Sequence, residues 1–122
     1  MCIRDSSDTP GTEVYYQQAS SESRRFAGLL VEESRKALGQ FDIEWFAGTD
    51  AGATYRPNAD TGRDFYGMVR LPQMPAVLAE MAFLGNEAEV DLLRTGELQE
   101  ACLLYTSPSP RDRTRSRMPS SA

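Results

Sequence analysis

Glu80 is the side chain best placed to do chemistry, because it is a carboxylate inside the most apolar stretch of the sequence, residues 75–84. Burying a carboxylate costs several kcal/mol unless it is paired, hydrogen-bonded or protonated. A buried acid with a raised pKa can act as a general acid or base near neutral pH. The structural alternatives are that this strand end reaches solvent or that Arg70, on a neighbouring strand, pairs with Glu80. The pattern by itself leaves both roles open.

The absence of histidine restricts every other kind of chemistry. It excludes a Ser-His-Asp or Cys-His catalytic unit and any histidine-ligated metal site within these residues. Lys36 is the single lysine, so Schiff-base chemistry is not favoured. The remaining acids lie in predicted helices and loops, where we expect solvation, and Glu87, Glu89 and Asp91 are expected to favour a helix N-terminus. No metal ligand is predicted in this sequence.

Length and charge limit the class of protein. A chain of 122 residues allows one domain at most. Residues 1–106 hold 9 basic and 17 acidic groups, and this acidic body argues against nucleic-acid binding. Residues 107–122 hold four arginines and could form a basic arm, but a disordered end is favoured because it has no aromatic residue to stack on bases. No apolar run approaches the roughly 20 residues of a membrane span.

Glu80 lies in a predicted buried strand, so a sheet must position it. The pattern of apolar residues along the chain predicts such a sheet together with helices that pack on it. The predicted elements are a strand over residues 12–16, a helix over 21–38, an irregular loop over 45–64, strands over 65–71 and 75–84, a helix over 86–94 and a further helix from 97. Ser20 is the predicted N-cap of the first helix and Gly39 a suitable C′ residue. Asn86 with Glu89 three residues later resembles a capping box. This order predicts an α/β fold.

The run from Arg70 to Glu89, RLPQMPAVLAEMAFLGNEAE, resembles the C-terminal signature of zinc-dependent N-acetylmuramoyl-L-alanine amidases with an amidase-3 type catalytic domain. The family pattern is approximately an arginine followed by PAVLVE-x-GF-x-SN-x-x-E. The chain matches it at Pro75, Ala76, Val77, Leu78, Glu80, Phe83, Asn86 and Glu89, and departs from it at Ala79, Ala82 and Gly85. Upstream, residues 11–16 read GTEVYY, similar to the family's G-x-E-x-Y-Y strand. The resemblance spans about residues 8–101.

This resemblance implies an α/β fold with a twisted sheet flanked by helices. It also implies hydrolysis of the amide between N-acetylmuramic acid and L-alanine in peptidoglycan, with a zinc-activated water and Glu80 as general acid/base. Arg70 is implied to position the substrate or to hold Glu80. Glu13 matches a family position as well, but a structural hydrogen bond or salt bridge is expected there. Peptidoglycan as the partner implies a secreted or cell-envelope location in a bacterium.

The zinc site is where the sequence departs from the family. The family's ligands, two histidines and a glutamate, are expected N-terminal to the G-x-E-x-Y-Y strand, and none is present. We therefore expect zinc in the complete parent enzyme, no zinc binding by this chain, and no activity of this chain alone. The N-terminal strands of the domain are also expected to be missing, which makes the sheet incomplete. The alternative is a zinc-free amidase-like protein that binds peptidoglycan or has a regulatory role.

Both ends of the chain resemble translated sequencing-adapter read-through, with MCIRDS at the start and CLLYTSPSPRDR over residues 102–113. Such strings occur at the ends of reading frames from metagenomic contigs. Residues 7–101 are accordingly predicted to be the C-terminal portion of an amidase catalytic domain, with residues 1–6 and 102–122 as non-native, disordered ends. Cys2 and Cys102 would then carry no function, although two cysteines could form one disulfide. No signal-peptide pattern is visible at the start.

Overall fold

The chain folds as an open sheet with helices packed against it. The structure, a computed structural model, describes residues 2–4, 11–43, 45 and 52–106, of which residues 2–4 and 104–106 are described by their backbone. The elements are β1 (Cys2–Arg4), β2 (Glu13–Tyr16), α1 (Ser21–Leu38), β3 (Ala53–Thr54), α2 (Gly67–Arg70), β4 (Val77–Phe83), α3 (Glu87–Leu93) and α4 (Gly96–Thr106). The predicted α/β class is confirmed.

The sheet has the strand order β1-β4-β2-β3 within the described residues. β4 runs parallel to β1 and antiparallel to β2, and β3 runs parallel to β2. β4 therefore occupies an interior position with a neighbour on each side. This position explains why its sequence is a nearly continuous apolar run rather than an alternating one.

The core consists of three apolar clusters around this sheet. Two of them place α1 and α4 against the sheet; their buried members are Val14, Ala27, Leu30 and Val31 in one, and Leu38, Trp45, Met81, Ala82, Leu98 and Cys102 in the other. The third joins Val69 of α2 to Tyr15 and Leu78. Since Val14 and Tyr15 are consecutive on β2, they point to opposite faces, so α1 and α2 pack on opposite sides of the sheet. None of the described helices is long and apolar enough to cross a membrane.

Helix α1 begins and ends where the sequence predicts. The Ser20 hydroxyl accepts a hydrogen bond from the Ser23 backbone N–H at 3.1 Å, which satisfies one of the free donors of the first turn. Gly39 is the C-cap with φ of −64°, so this helix ends without the left-handed conformation that a C′ glycine permits. The apolar stripe of α1 packs on the core, as its helical spacing predicts.

Replacing Ser20 by alanine is expected to lower the free energy of unfolding by about 1 kcal/mol, because the N-cap acceptor is lost. Ser21→Ala is the matched control, since the Ser21 hydroxyl bonds to the exposed side chain of Glu22 and not to the backbone of the described first turn. Urea unfolding of both variants measures the difference. Equal losses in the two variants would show that Ser20 does not cap the helix.

The prediction of a strand over residues 65–71 is wrong. Gly67–Arg70 form the short helix α2. The alternation of apolar residues in this segment does not reflect a buried strand face, because Met68 and Leu71 are 68% and 75% exposed while Val69 is buried. Val69 of α2 packs with Tyr15 and Leu78 and so anchors the segment to the sheet.

Parts of both ends that were expected to be disordered have regular structure. The backbone of β1 pairs with β4, and α4 continues past residue 101 to Thr106. Helix α4 continues because Leu98 and Cys102, four residues apart, share one helix face and are both buried. Cys102 is not in a disulfide. Residues 5–10 and 107–122 lie outside the described residues, and the boundaries and origin of the two ends stay predictions.

Candidate functional site

Glu80 lies in the middle of β4, and only 8% of its surface is exposed. The antiparallel register of β2 and β4 places Glu13 directly opposite Glu80. Directly opposed residues project from the same face of a sheet, with Cβ atoms about 4.5–5.5 Å apart. Two carboxylates from distant parts of the sequence therefore meet on one face. This face is the one on which α2 packs, since Tyr15 is two residues from Glu13 on β2.

Glu13 is held in place by its neighbour on the same face. The Tyr15 hydroxyl donates a hydrogen bond to Oε2 of Glu13. The Tyr15 ring is itself buried, and it packs against the ring of Tyr66 with the centroids 4.8 Å apart. This contact is the structural hydrogen bond expected for Glu13. It fixes one of the two carboxylates by a packed tyrosine.

The Glu80 carboxyl is carried by an interior strand of the sheet. A carboxyl group accepts a hydrogen bond when it is ionised and donates one when it is protonated. Because β4 is an interior strand, the backbone that carries Glu80 is fixed by hydrogen bonds to strands on both sides. The side chain is therefore presented from a rigid element, which is what positioning of a general acid or base requires.

Arg70 does not lie on a strand beside Glu80, because the neighbours of β4 are β1 and β2. The interpretation in which Arg70 pairs with Glu80 from a neighbouring strand is therefore wrong. Arg70 ends α2, and its Nη1 donates to the backbone oxygens of Asp64 and Phe65 at 2.9 and 3.1 Å. These contacts brace the segment that leads into α2. A role of Arg70 in positioning substrate stays a prediction.

Glu89 is a buried residue whose role the sequence analysis missed. It is 0% exposed, and its two carboxylate oxygens accept hydrogen bonds from the backbone N–H groups of Gly11 and Phe83, each at 2.6 Å. Its own N–H donates to Oδ1 of Asn86 at 3.2 Å, so Asn86 caps α3 as predicted. The Glu89 carboxylate, however, does not complete the box. It ties Gly11, two residues before β2, to Phe83 at the end of β4.

The expectation that Glu89 is solvated is therefore wrong, and the physical reason is the demand of two backbone donors for an acceptor. Burial raises the pKa of the Glu89 carboxyl above its usual value, and the two backbone N–H groups oppose that rise. One signal in the sequence could have revealed this residue. Glu89 is the last residue that matches the amidase-like motif. A solvated surface acid would not have to be part of such a motif, so the match indicates a structural role.

The described residues do not fit a zinc ion. No group of three or more His, Cys, Asp or Glu side chains in the described part of the chain is placed to hold a metal. Glu13 and Glu80 offer carboxylate oxygens from two residues, whereas zinc sites in proteins are built mainly from histidine and cysteine. The sequence contains no histidine.

This chain matches one family model and is similar in fold to a solved structure. The family model described as N-acetylmuramoyl-L-alanine amidase (amidase-3) matches residues 4–104. No curated protein matches the chain. Among solved structures, Cwp6 from Clostridium difficile is similar with a TM-score of 0.63 and 20% sequence identity, over 81% of this chain and 15% of that one. This identity shows a shared fold alone, and the chain spans only 15% of the length of that protein.

Proposed function

Since this chain belongs to the N-acetylmuramoyl-L-alanine amidase family, we propose that it forms part of a catalytic domain that hydrolyses the amide between N-acetylmuramic acid and L-alanine in peptidoglycan. The observation that supports this most is the placement of Glu80. It is buried on an interior strand, opposite Glu13, and it matches the glutamate of the family motif. The family match covers both residues.

Glu80 is the proposed general base and then general acid. Its carboxylate takes a proton from the water whose oxygen bonds to the carbonyl carbon of the lactyl group. The carbon–nitrogen bond then breaks, and the same proton passes from Glu80 to the nitrogen of L-alanine. The products are a carboxylic acid on the sugar and a free amine on the peptide. Glu13, fixed by Tyr15, supports the geometry of the site and carries no proton in this scheme.

The isolated 122-residue chain is proposed to be inactive, because its described residues offer no group that fits the zinc of the parent enzyme. Incubated with peptidoglycan and zinc chloride, it should release no new amino termini. The protein encoded by a longer reading frame from the same locus, with histidines upstream of residue 11, should release new amino termini. Turnover by the 122-residue chain, or a longer frame without such histidines, would contradict the proposal.

A zinc-free amidase-like protein that binds peptidoglycan without cutting it is the second candidate. The lack of histidine in the sequence favours it. It predicts that the 122-residue chain unfolds cooperatively in urea and sediments with insoluble peptidoglycan while leaving it intact. An aggregated chain would count against this candidate, and so would an adapter match in the DNA at both ends of the reading frame.

The proposed substrate also indicates where the parent protein acts. Peptidoglycan lies outside the bacterial cytoplasm, so a secreted or cell-envelope location is proposed. Nucleic acid is not a proposed partner, because the net charge of −5 repels polyanions. Fractionation of the source bacterium with an antibody against residues 52–106 would test the location.

A further inference from the structure

The guanidinium group of Arg56 is held at the surface beside the aromatic rings of Phe65 and Tyr66. The Arg56 side chain is exposed, and its Cζ lies 4.6 Å from the centroid of the Phe65 ring and 5.9 Å from that of Tyr66. Its Nη1 donates to the Tyr66 hydroxyl at 3.2 Å. The Phe65 and Tyr66 rings meet edge to face, with centroids 5.3 Å apart. The side chains of Phe65 and Tyr66 thus fix the position of one positive charge.

The backbone around Arg56 is also fixed. The Phe65 N–H donates to the Arg56 carbonyl at 2.8 Å, and Pro57 forms a bridge with Asp64. The intervening turn is closed by Asn58, whose side-chain oxygen accepts from two backbone N–H groups within it, both at 3.0 Å. Arg56 and Phe65 are therefore held across a closed turn, and the guanidinium loses little freedom when it binds a partner.

No ion pair within the described residues uses this charge. The pairs found there join Lys36 to Glu32 and Glu33, and Arg94 to Asp91. The Arg56 fork has five N–H donors, and its described hydrogen bond is to the Tyr66 hydroxyl. A planar guanidinium with donors to spare binds a carboxylate with two parallel hydrogen bonds.

A continuous row of contacts connects Arg56 with the candidate site. Arg56 contacts Tyr66, whose ring packs on that of Tyr15. The Tyr15 hydroxyl bonds to Glu13, which lies opposite Glu80. The guanidinium and the two carboxylates therefore belong to the same side of the sheet.

We infer that Arg56, Phe65 and Tyr66 form a carboxylate-binding subsite for an acidic peptide, namely the peptide chain of the proposed substrate; this inference rests on the proposed function. A peptide joined to the sugar through the amine of L-alanine carries its free carboxylates further along its chain. The subsite would hold one of them and so orient the amide bond relative to Glu80.

The chemistry of the subsite favours a peptide carboxylate over other ligands. A neutral sugar would stack on an open aromatic ring, but Arg56 covers a face of Phe65 and Tyr66 contacts Phe65 edge to face. A polyanion such as nucleic acid would be repelled by the net charge of −5. A small acidic group is the ligand that fits a single fixed cation on an acidic protein.

Titration of the 122-residue chain with N-acetyl-L-alanyl-D-glutamate, followed by NMR, tests the inference. The diacid is expected to shift the backbone signals of residues 56, 65 and 66, and its diamide should bind at least about fivefold more weakly. Arg56→Gln is expected to weaken binding of the diacid by about tenfold, and Arg56→Lys by less, because lysine keeps the charge but not the fork. Dispersed spectra of each variant establish that it is folded.

Arg63→Gln is the matched control, because Arg63 is an exposed arginine of the same turn that makes no described side-chain contact. It should leave the affinity for the diacid unchanged. Equal affinities for diacid and diamide, equal losses in the two glutamine variants, no binding at all, or preferential binding of N-acetylglucosamine would each overturn the inference. The titration involves no hydrolysis. If the peptide binds as expected while a longer reading frame cuts another bond, only the proposed function fails.

Discussion

In the longer protein encoded by an extended reading frame, Glu80→Gln is expected to lower the rate of amide hydrolysis about 10²- to 10⁴-fold. Glutamine has nearly the same size and shape as glutamate, so the packing of β4 should change little. Its amide cannot take a proton from the attacking water, and it cannot return one to the leaving amine. The loss should therefore fall on kcat, with KM for a soluble muramoyl-peptide largely kept.

Glu13→Gln is the control for this prediction. The carbonyl oxygen of glutamine can still accept the hydrogen bond from Tyr15, so the local structure is kept while the charge is lost. The loss of kcat should be much smaller than that of Glu80→Gln. Steady-state kinetics of both variants provide the comparison. Retained turnover in Glu80→Gln, or equal losses in the two variants, would show that the general acid/base has been assigned to the wrong residue.

Glu89→Ala is expected to lower the free energy of unfolding by about 2–5 kcal/mol. The change removes the acceptor of two backbone N–H groups, those of Gly11 and Phe83, and leaves a cavity at a fully buried position. Each donor left without a partner costs about 1–3 kcal/mol. Because Gly11 lies two residues before β2 and Phe83 is the last residue of β4, the loss should also weaken the pairing that brings Glu13 opposite Glu80.

Glu87→Ala is the matched control in the same helical turn, since Glu87 is exposed and its loss should change stability by no more than about 0.5 kcal/mol. Glu89→Gln should fall between the two, because it keeps one acceptor oxygen and turns an amide group toward the second donor. Urea denaturation gives all three values. A Glu89→Ala variant as stable as Glu87→Ala would mean that the buried bridge contributes nothing.

The same residue predicts a pH dependence. Burial raises the pKa of Glu89, so the native protein binds this proton at a higher pH than the unfolded chain, whose value is near 4.5. The stability linked to this proton is fully present below pH 4.5 and is lost as the pH rises through the native pKa. The advantage of the wild type over Glu89→Ala should therefore shrink toward neutral pH. An advantage that grows with pH would indicate that the two N–H bonds outweigh burial.

Local signals in the sequence were sufficient to predict where helices begin. Ser20 and Asn86 cap their helices as predicted, because a side-chain oxygen at an N-cap acts on donors two or three residues away. The burial of β4 follows from its continuous apolar run. The prediction of a strand over residues 65–71 was wrong because a long-range contact, not a local signal, determines the structure there. The alternation of this segment resembles a strand, but the contact of Val69 with the sheet decides its conformation.

The candidate site could be predicted only in part. The apolar surroundings of Glu80 indicate a buried acid, but its position opposite Glu13 depends on the register between two strands that are far apart in the sequence. The same long-range dependence explains the two residues that were misplaced. Arg70 was assigned to a strand that does not form, and Glu89 is buried because distant backbone donors converge on it.

Identification of the bond that is cut tests the central claim most directly. Peptidoglycan digested by an extended reading frame of this protein should yield peptides with a new free amino terminus on L-alanine, each matched by a muramic acid with a free lactyl carboxylate. Mass spectrometry of the products, with and without amine labelling, distinguishes this outcome. New reducing sugar ends, or new amines on any residue other than L-alanine, would contradict the assignment of this chain to amidase catalysis.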